Sequence, residues 1–425
     1  MILRRVAFGR RLFASSTVNE ATQLQTTLGS VSDIEKPRVR VLTRAAAVPK
    51  SASPMHRIWS TAREQLQPVT ISDMLALHDL RNPEATLVQS ALWLQTELQR
   101  RIARQVVALS QMPFGICTMP SARRIRDDYV KSYRDLSETA PPTTFATTLA
   151  FSDKLEFVYA RHSTMLSLMA KAVFELEQSM AQGPDGGADD LNAFLEFANV
   201  DDAFSNFLTR RIGIRFLLGH HLALLADHKR GVQSKSICGL IDRELSPYAV
   251  AADAASAAMS LCRDTYGFAP EIHVDGSQTH TLPYVRDHLM YILMELFKNS
   301  CRATVERYSD SREIPPIRVT IGSEEHEDVA IKVSDAGGGI PRTHMRRVWS
   351  YLYTTAPKNA KELMTHMDNE SPIAGLGFGL PVSRLHARYF GGDLQMLSMP
   401  GRGTDCVLYL RRLGDVRETE SVLPA

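Results

Sequence analysis

The sequence predicts two domains in tandem: an all-α helix bundle first, then an α+β sandwich whose helices cover one face of a mixed sheet. Three observations carry this reading. The chain has 425 residues, 44% of them apolar, which is more than a single hydrophobic core accommodates. Between residues 58 and 266, apolar side chains recur at three- and four-residue steps, the spacing of a helix face. After Gly267 that period gives way to short β-branched runs interleaved with helical stretches, the pattern of a layered sheet-and-helix domain.

Taken in order, residues 1–19 hold Arg4, Arg5, Arg10 and Arg11, no acidic residue, a scatter of apolar side chains, and then Ser15, Ser16 and Thr17. That composition resembles a mitochondrial transit peptide, and Arg11-Leu12-Phe13-Ala14-Ser15 looks like a matrix-processing site. Residues 20–57 lack periodicity and are expected as an extended arm. The helical domain, 58–266, shows its stripes at Ala91, Leu94, Leu98, Ile102, Val106 and Leu109, and again at Phe157, Val158, Met165, Leu168, Met169, Val173 and Leu176. Pro113, Pro120, Pro141-Pro142 and the Gly183–Gly187 stretch punctuate it, leaving several long helices that bury their stripes most simply as a bundle. The second domain, 267–412, is read with strands at 271–275, 317–321, 329–333, 394–399 and 406–410 and helices at 285–308 and 381–390; residues 413–425 are read as a tail.

Composition excludes several classes of function. Lys and Arg total 49 against 47 Asp and Glu, so there is no basic excess of the kind that tracks a nucleic-acid backbone. Five scattered cysteines with no Cys-x-x-Cys spacing argue against a disulfide framework or a structural zinc site. No stretch of about twenty residues is both apolar and uncharged, so no membrane span is expected.

The chemistry concentrates in three segments of the second domain. On the first, Glu295-Leu296-Phe297-Lys298-Asn299-Ser300-Cys301-Arg302, Glu295 and Asn299 are four apart and share a helix face. An amide oxygen there suits a magnesium ion, and a carboxylate suits a proton leaving an attacking hydroxyl. Standing alone, such a pair is usually a solvated helix face. The second, Ser334-Asp335-Ala336-Gly337-Gly338-Gly339, follows a strand; its glycines allow backbone to approach a flat ligand, and Asp335 can accept a hydrogen bond from an amine, although a tight hairpin turn uses similar residues. The third, Gly375-Leu376-Gly377-Phe378-Gly379-Leu380-Pro381, leads into a helix whose N-terminal amides suit phosphates. No Walker lysine and no His-Arg-Asp loop is present, so P-loop and ordinary protein-kinase chemistry lack their parts.

The order Glu-x-x-x-Asn, Asp-x-Gly-x-Gly, Gly-x-Gly-x-Gly resembles the N, G1 and G2 boxes of the Bergerat fold. Sensor histidine kinases, Hsp90-type chaperones, MutL-type ATPases and mitochondrial dehydrogenase kinases share it. Residues 295–306, Tyr351-Leu352-Tyr353-Thr354-Thr355-Ala356-Pro357, Gly377–Arg384, Tyr389–Leu394 and Gly403-Thr404-Asp405 resemble the 2-oxo-acid dehydrogenase kinases specifically. In the helical domain Arg211-Ile212-Gly213-Ile214-Arg215 and His220-His221-Leu222-Ala223-Leu224 extend the likeness, so that it covers about 60–412. The resemblance implies Glu295 as general base, Asn299 as magnesium ligand, and Asp335 as adenine anchor. It also implies Gly337 and Gly339 lining the base pocket, Thr354 and Thr355 at the nucleotide edge, and Gly375, Leu376, Gly377, Phe378, Gly379 and Leu380 around the phosphates. Lys298 and Arg302 would neutralise phosphate charge, Lys298 being equally readable as solvated, and Thr404 would support the adenine site. Residues 356–374 would form a lid.

The cofactors implied are ATP and Mg2+, with K+ as a further candidate. The implied partners are the decarboxylase subunit of a dehydrogenase complex, its lipoyl-bearing core subunit, and a second copy of the chain. The implied place is the mitochondrial matrix, and the implied product a phosphoserine. His162 lacks the acidic residue and proline of a phospho-accepting helix and is read as structural; His220 and His221 are read as core histidines. Ala336 stands where the family usually has Arg, and Tyr291 where pyruvate dehydrogenase kinases place a His one turn before the catalytic Glu. The His-His-Leu-Ala-Leu run, Tyr266-Gly267-Phe268-Ala269-Pro270, Tyr291 and the short stretch after Leu410 incline the reading to the branched-chain 2-oxo-acid dehydrogenase kinase; Glu295-Leu296-Phe297, Thr304-Val305-Glu306 and the Tyr389-Phe390 region point to the pyruvate dehydrogenase kinase. A non-catalytic ATP-binding scaffold and a GHKL ATPase clamp are the alternatives from other classes.

Overall fold

Helix α1 (Pro54–Ala62) starts where Ser53 accepts the His56 amide and Pro54 presets the first turn, so the last residues of the expected extended arm are helical. The computed structural model describes residues 53–76, 82–181, 198–231, 234–309, 311, 313–322, 328–351, 353 and 377–419. The expected transit peptide and residues 20–52 of the arm lie outside the described residues.

After α2 (Ile71–Ala76), the bundle is built on α3 (Pro83–Ser110), capped by Asn82 and buried along Ala91, Leu94, Leu98, Ile102, Val106 and Leu109 as its periodicity predicts. A short 3-10 turn (Pro113–Thr118) breaks the chain at the expected proline, and α4 (Pro120–Ser137) follows. Thr144 and Thr147 cap α5 (Phe145–Arg161) reciprocally. The stripe read through 157–176 divides at His162, where α5 ends, and resumes in α6 (Met165–Ala181). Phe157 does not join it: its side chain lies on the outer face of α5 at 71% exposure, while Val158 turns inward. Helix α7 (Ala198–Lys229) buries Phe204, Phe207, Leu208, Phe216, Leu217 and Leu218 on several sides because it lies between the bundle and the second domain.

A small antiparallel sheet, β1 (Ile237–Cys238), β2 (Ile241–Leu245) and β4 (Leu282–Val285), bridges the two parts of the sequence. Helix α8 (Pro247–Tyr266), which periodicity assigned to the bundle, packs instead along α9 (Arg286–Arg307) and β3 (Ile272–Gly276). Its buried face of Ala251, Ala254, Ala255 and Ala258 is small enough for that close approach. Strands β5 (Ile317–Gly322), β6 (Val329–Asp335), β7 (Asp393–Met399) and β8 (Gly403–Leu410) complete a mixed five-stranded sheet of order β3-β5-β6-β8-β7, parallel only at β3–β5. Ile317, Val319, Ile321, Val329, Ile331, Val333, Cys406 and Leu408 alternate onto the face covered by helices, among them α10 (Gly379–Tyr389). The all-α bundle and the mixed sheet are thus both present.

The segment read as a tail is built into the core as far as Thr419. Ser72 N donates to Gly414 O at 2.9 Å, and Glu418, 5% exposed, accepts from Arg101 Nη1 at 2.9 Å, from Val69 N at 3.0 Å and from Tyr389 Oη. One carboxylate therefore joins α3 of the bundle to α10 of the second domain.

Candidate functional site

Helix α9 buries Ile292, Leu293, Leu296, Phe297, Cys301 and Val305, which leaves Glu295, Asn299 and Arg302 on its more open side. Asn299 is exposed, and none of the described residues hydrogen-bonds its side chain. Lys298 is not solvated: it is 6% exposed, and its Nζ donates to Glu295 Oε1 at 2.5 Å. Arg302 pairs with Glu306 one turn on, Nε to Oε1 at 2.7 Å.

Asp335 ends β6 and organises the neighbouring loop. Its Oδ1 accepts from Gly337 N at 2.9 Å and Thr404 N at 3.3 Å, and its Oδ2 accepts from Ser300 Oγ at 3.2 Å. Burial raises the Asp335 carboxyl above its ordinary range, against the pull of those three donors. A carboxylate has about four lone-pair sites, so one exocyclic amine can be added. Thr404 Oγ1 is hydrogen-bonded to Ser398 Oγ at 2.9 Å, and Ile340 N donates to that same Ser398 hydroxyl at 2.7 Å. The loop glycines serve close packing: a Cβ at Gly337 would meet Ala303 Cβ at 2.5 Å, and one at Gly339, whose φ is +72°, would run into Met399 O.

The third segment meets the first at the start of α10. A Cβ on Gly379 would collide with Glu295 Oε2, so the carboxylate lies against the backbone of that helix's first turn. Gly377 has φ +73°, and Phe378 packs with Phe204 and Tyr351 at ring distances of 6.0 and 5.6 Å. Val382 N closes the first turn onto Phe378 O, so the amides of Gly379 and Leu380 stand at the open end, a ready anion site. Thr354, Thr355, Gly375, Leu376 and the lid at 356–374 lie outside the described residues.

Sequence reasoning missed three residues that hold the loops together. Arg307 donates from Nη1 to Ala336 O at 3.0 Å and Arg402 O at 2.8 Å, and from Nη2 to Gly401 O at 3.0 Å; it thereby clamps the second segment to the β7–β8 turn. Ser300 and Ser398 are the others, and only the adjacency of Ser300 to Asn299 gave a signal. In the bundle, His162 is fully buried and hydrogen-bonded to Ser132 Oγ at 3.0 Å; burial, then Arg211, Arg161 and Arg215, lower its pKa to about 3. His221 sits between Ser90 and Ser152, at 3.0 and 2.9 Å, as a core histidine.

A carboxylate and amide on one helix, a buried aspartate at a strand end and a glycine-rich helix start, all on a mixed sheet, define an ATP-binding domain of the histidine-kinase-like class. A family profile described as histidine kinase-, DNA gyrase B- and HSP90-like ATPase matches residues 284–413, and one described as mitochondrial branched-chain alpha-ketoacid dehydrogenase kinase matches 68–242. A mitochondrial pyruvate dehydrogenase (acetyl-transferring) kinase of Arabidopsis thaliana is 40% identical, covering 79% of this chain and 88% of its own. The human isozyme 3 kinase of the same name is 34% identical over 81% and 83%, and the Ascaris suum kinase 33% over 90% and 92%. The chain belongs to the mitochondrial 2-oxo-acid dehydrogenase kinase family and is an ATP-dependent protein kinase of the mitochondrion.

Proposed function

We propose that this kinase phosphorylates a serine on the decarboxylase subunit of a 2-oxo-acid dehydrogenase complex in the mitochondrial matrix. The observation that carries this reading is the seating of the Glu295 carboxylate between Lys298 Nζ and the Gly379 backbone, at the mouth of an anion-binding helix start. Glu295 accepts the proton of the attacking hydroxyl, while Lys298 fixes the orientation of its Oε1. Asp335 anchors the adenine amine, with Thr404 and Ser300 holding the carboxylate in place. The Gly379 and Leu380 amides stabilise charge on the phosphates. Asn299 would hold Mg2+, which would neutralise charge on the phosphoryl group in transfer.

The names of the relatives favour pyruvate dehydrogenase over the branched-chain complex to which Tyr291 and the His220-His221 run incline. Side-by-side transfer from labelled ATP to both purified decarboxylase subunits decides. Expected is serine labelling, stronger on the pyruvate enzyme, with Glu295→Gln reducing kcat by about 10²- to 10⁴-fold and leaving ATP bound. Binding of ATP by the wild type with no labelling of either subunit would replace this reading with that of a scaffold.

A further inference from the structure

The face of α9 that carries Glu295 also carries Tyr291 one turn earlier. Helix α10 runs back along this face, with Gly379 beside Glu295 and His386 beside Tyr291. The His386 ring centroid lies 5.0 Å from that of Tyr291 and 4.5 Å from that of His288. Both imidazoles are interior, and Nδ1 of each is buried with no hydrogen-bond partner among the described residues. The groups that face this cluster are Tyr291, Glu295 and His288 on α9, Arg211 on α7, Tyr389 on α10, and Tyr351. Burial, then His288 and Arg211, hold His386 well below the ordinary histidine range, so its imidazole is neutral. Burial and the Glu295 charge push the Tyr291 phenol upward, which keeps it protonated one helical turn from the carboxylate.

An imidazole nitrogen without a partner in an interior costs free energy that a phenyl ring of similar shape would not. Here that cost falls one side chain away from Glu295. We propose that His386 is a positioning residue for phosphoryl transfer: across the seam of α9 and α10 it holds Tyr291, and Tyr291 limits how the Glu295 carboxylate turns between Lys298 and Gly379. The inference rests on the reading of Glu295 as the base. His386 packs on Tyr291 and acts through that neighbour.

The test uses the full chain with ATP, Mg2+ and the decarboxylase subunit that it labels. His386→Phe should lower kcat by about tenfold to a hundredfold, the scale of a misplaced reacting group, with the Kd for ATP within about twofold of wild type. The acid limb of its pH–rate profile should shift, and His386→Gln should recover part of the loss. Tyr291→Phe should show the same kcat loss and the same shift. The double variant should be no worse than either single one, as for residues acting in series. Additive losses, or a wild-type pH profile in both single variants, overturn the proposal. Should His386→Phe fail to fold, Tyr291→Phe alone decides, since it deletes one oxygen; unchanged kcat and pH profile would then overturn it. If Glu295→Gln retains full transfer, the base assignment itself fails, a result separable from that of His386.

Discussion

At Asp335, one carboxylate ties together three stretches that are far apart in the sequence: Ser300 on α9, Gly337 in its own loop and Thr404 on β8. Truncation to Ala leaves the Gly337 and Thr404 amides without their acceptor, a cost of about 1–3 kcal/mol for each buried group left unsatisfied. Asp335→Ala is therefore expected to weaken ATP binding by at least about tenfold and to lower the denaturation midpoint, seen by calorimetric titration and urea unfolding. An unchanged Kd for ATP would remove Asp335 from the adenine site. Glu295, Asn299 and Asp335 were legible in the sequence through motif order, and Thr404 only through the resemblance of its Gly403-Thr404-Asp405 run. Arg307 and Ser398 were not, since each acts on backbone carbonyls or hydroxyls that only the folded loops bring near. Lys298 was half legible: its place beside Asn299 was plain, but its burial against Glu295 depends on how far α9 sinks into the sheet.

Among the elements, long periodic helices were the most legible, because a continuous apolar stripe such as that of α3 has one physical reading. Strands β5, β6 and β8 were equally clear from their short β-branched runs. The two-residue β1 was not, and neither was the partner of α8, because an alanine-rich face fits a helix or a sheet equally well. The segment 413–419 was read as part of a tail, and the charge of Glu418 conceals its buried role. Arg101, buried at 7% exposure, is shared by Glu97 and Glu418, with Arg101 Nε to Glu97 Oε1 at 2.8 Å. Burial opposes ionisation of Glu418, but Arg101, Tyr389 and the Val69 amide hold its carboxyl below the ordinary range. Glu418→Ala removes the second anion and leaves part of a buried guanidinium charge uncompensated, a loss of about 3–5 kcal/mol. Urea denaturation reads it directly, and an unchanged midpoint would mean that this strap does not join α3 to α10 in solution.

At the scale of the molecule, four histidines among the described residues have pKa values lowered by burial, and these set the response to acid. Burial is the main cause in each case: it brings His162 to about 3, His221 and His288 to about 4, and His386 well below its ordinary value. All four are neutral when folded at neutral pH, whereas in the unfolded chain they titrate near pH 6.5. Between those values the unfolded state binds more protons, so stability rises with pH and falls on acidification, by up to about 1.4 kcal/mol per pH unit for each histidine. Two carboxyls act the other way: burial raises Glu97 and Asp335, so each gains a proton on folding in a window just above the ordinary carboxylate pKa and partly offsets the histidines there. The histidine effect is therefore cleanest between about pH 6.5 and 5.5, above most of that window. The urea midpoint is expected to fall steeply across this interval with no change in the slope m. His221→Gln, which removes one titrating ring between Ser90 and Ser152, should flatten the dependence by about 1.4 kcal/mol per pH unit at most. A midpoint flat with pH in the parent chain would show that these rings titrate in the fold as they do in the unfolded chain, and hence that water reaches them in the bundle and at the seam of α9 and α10.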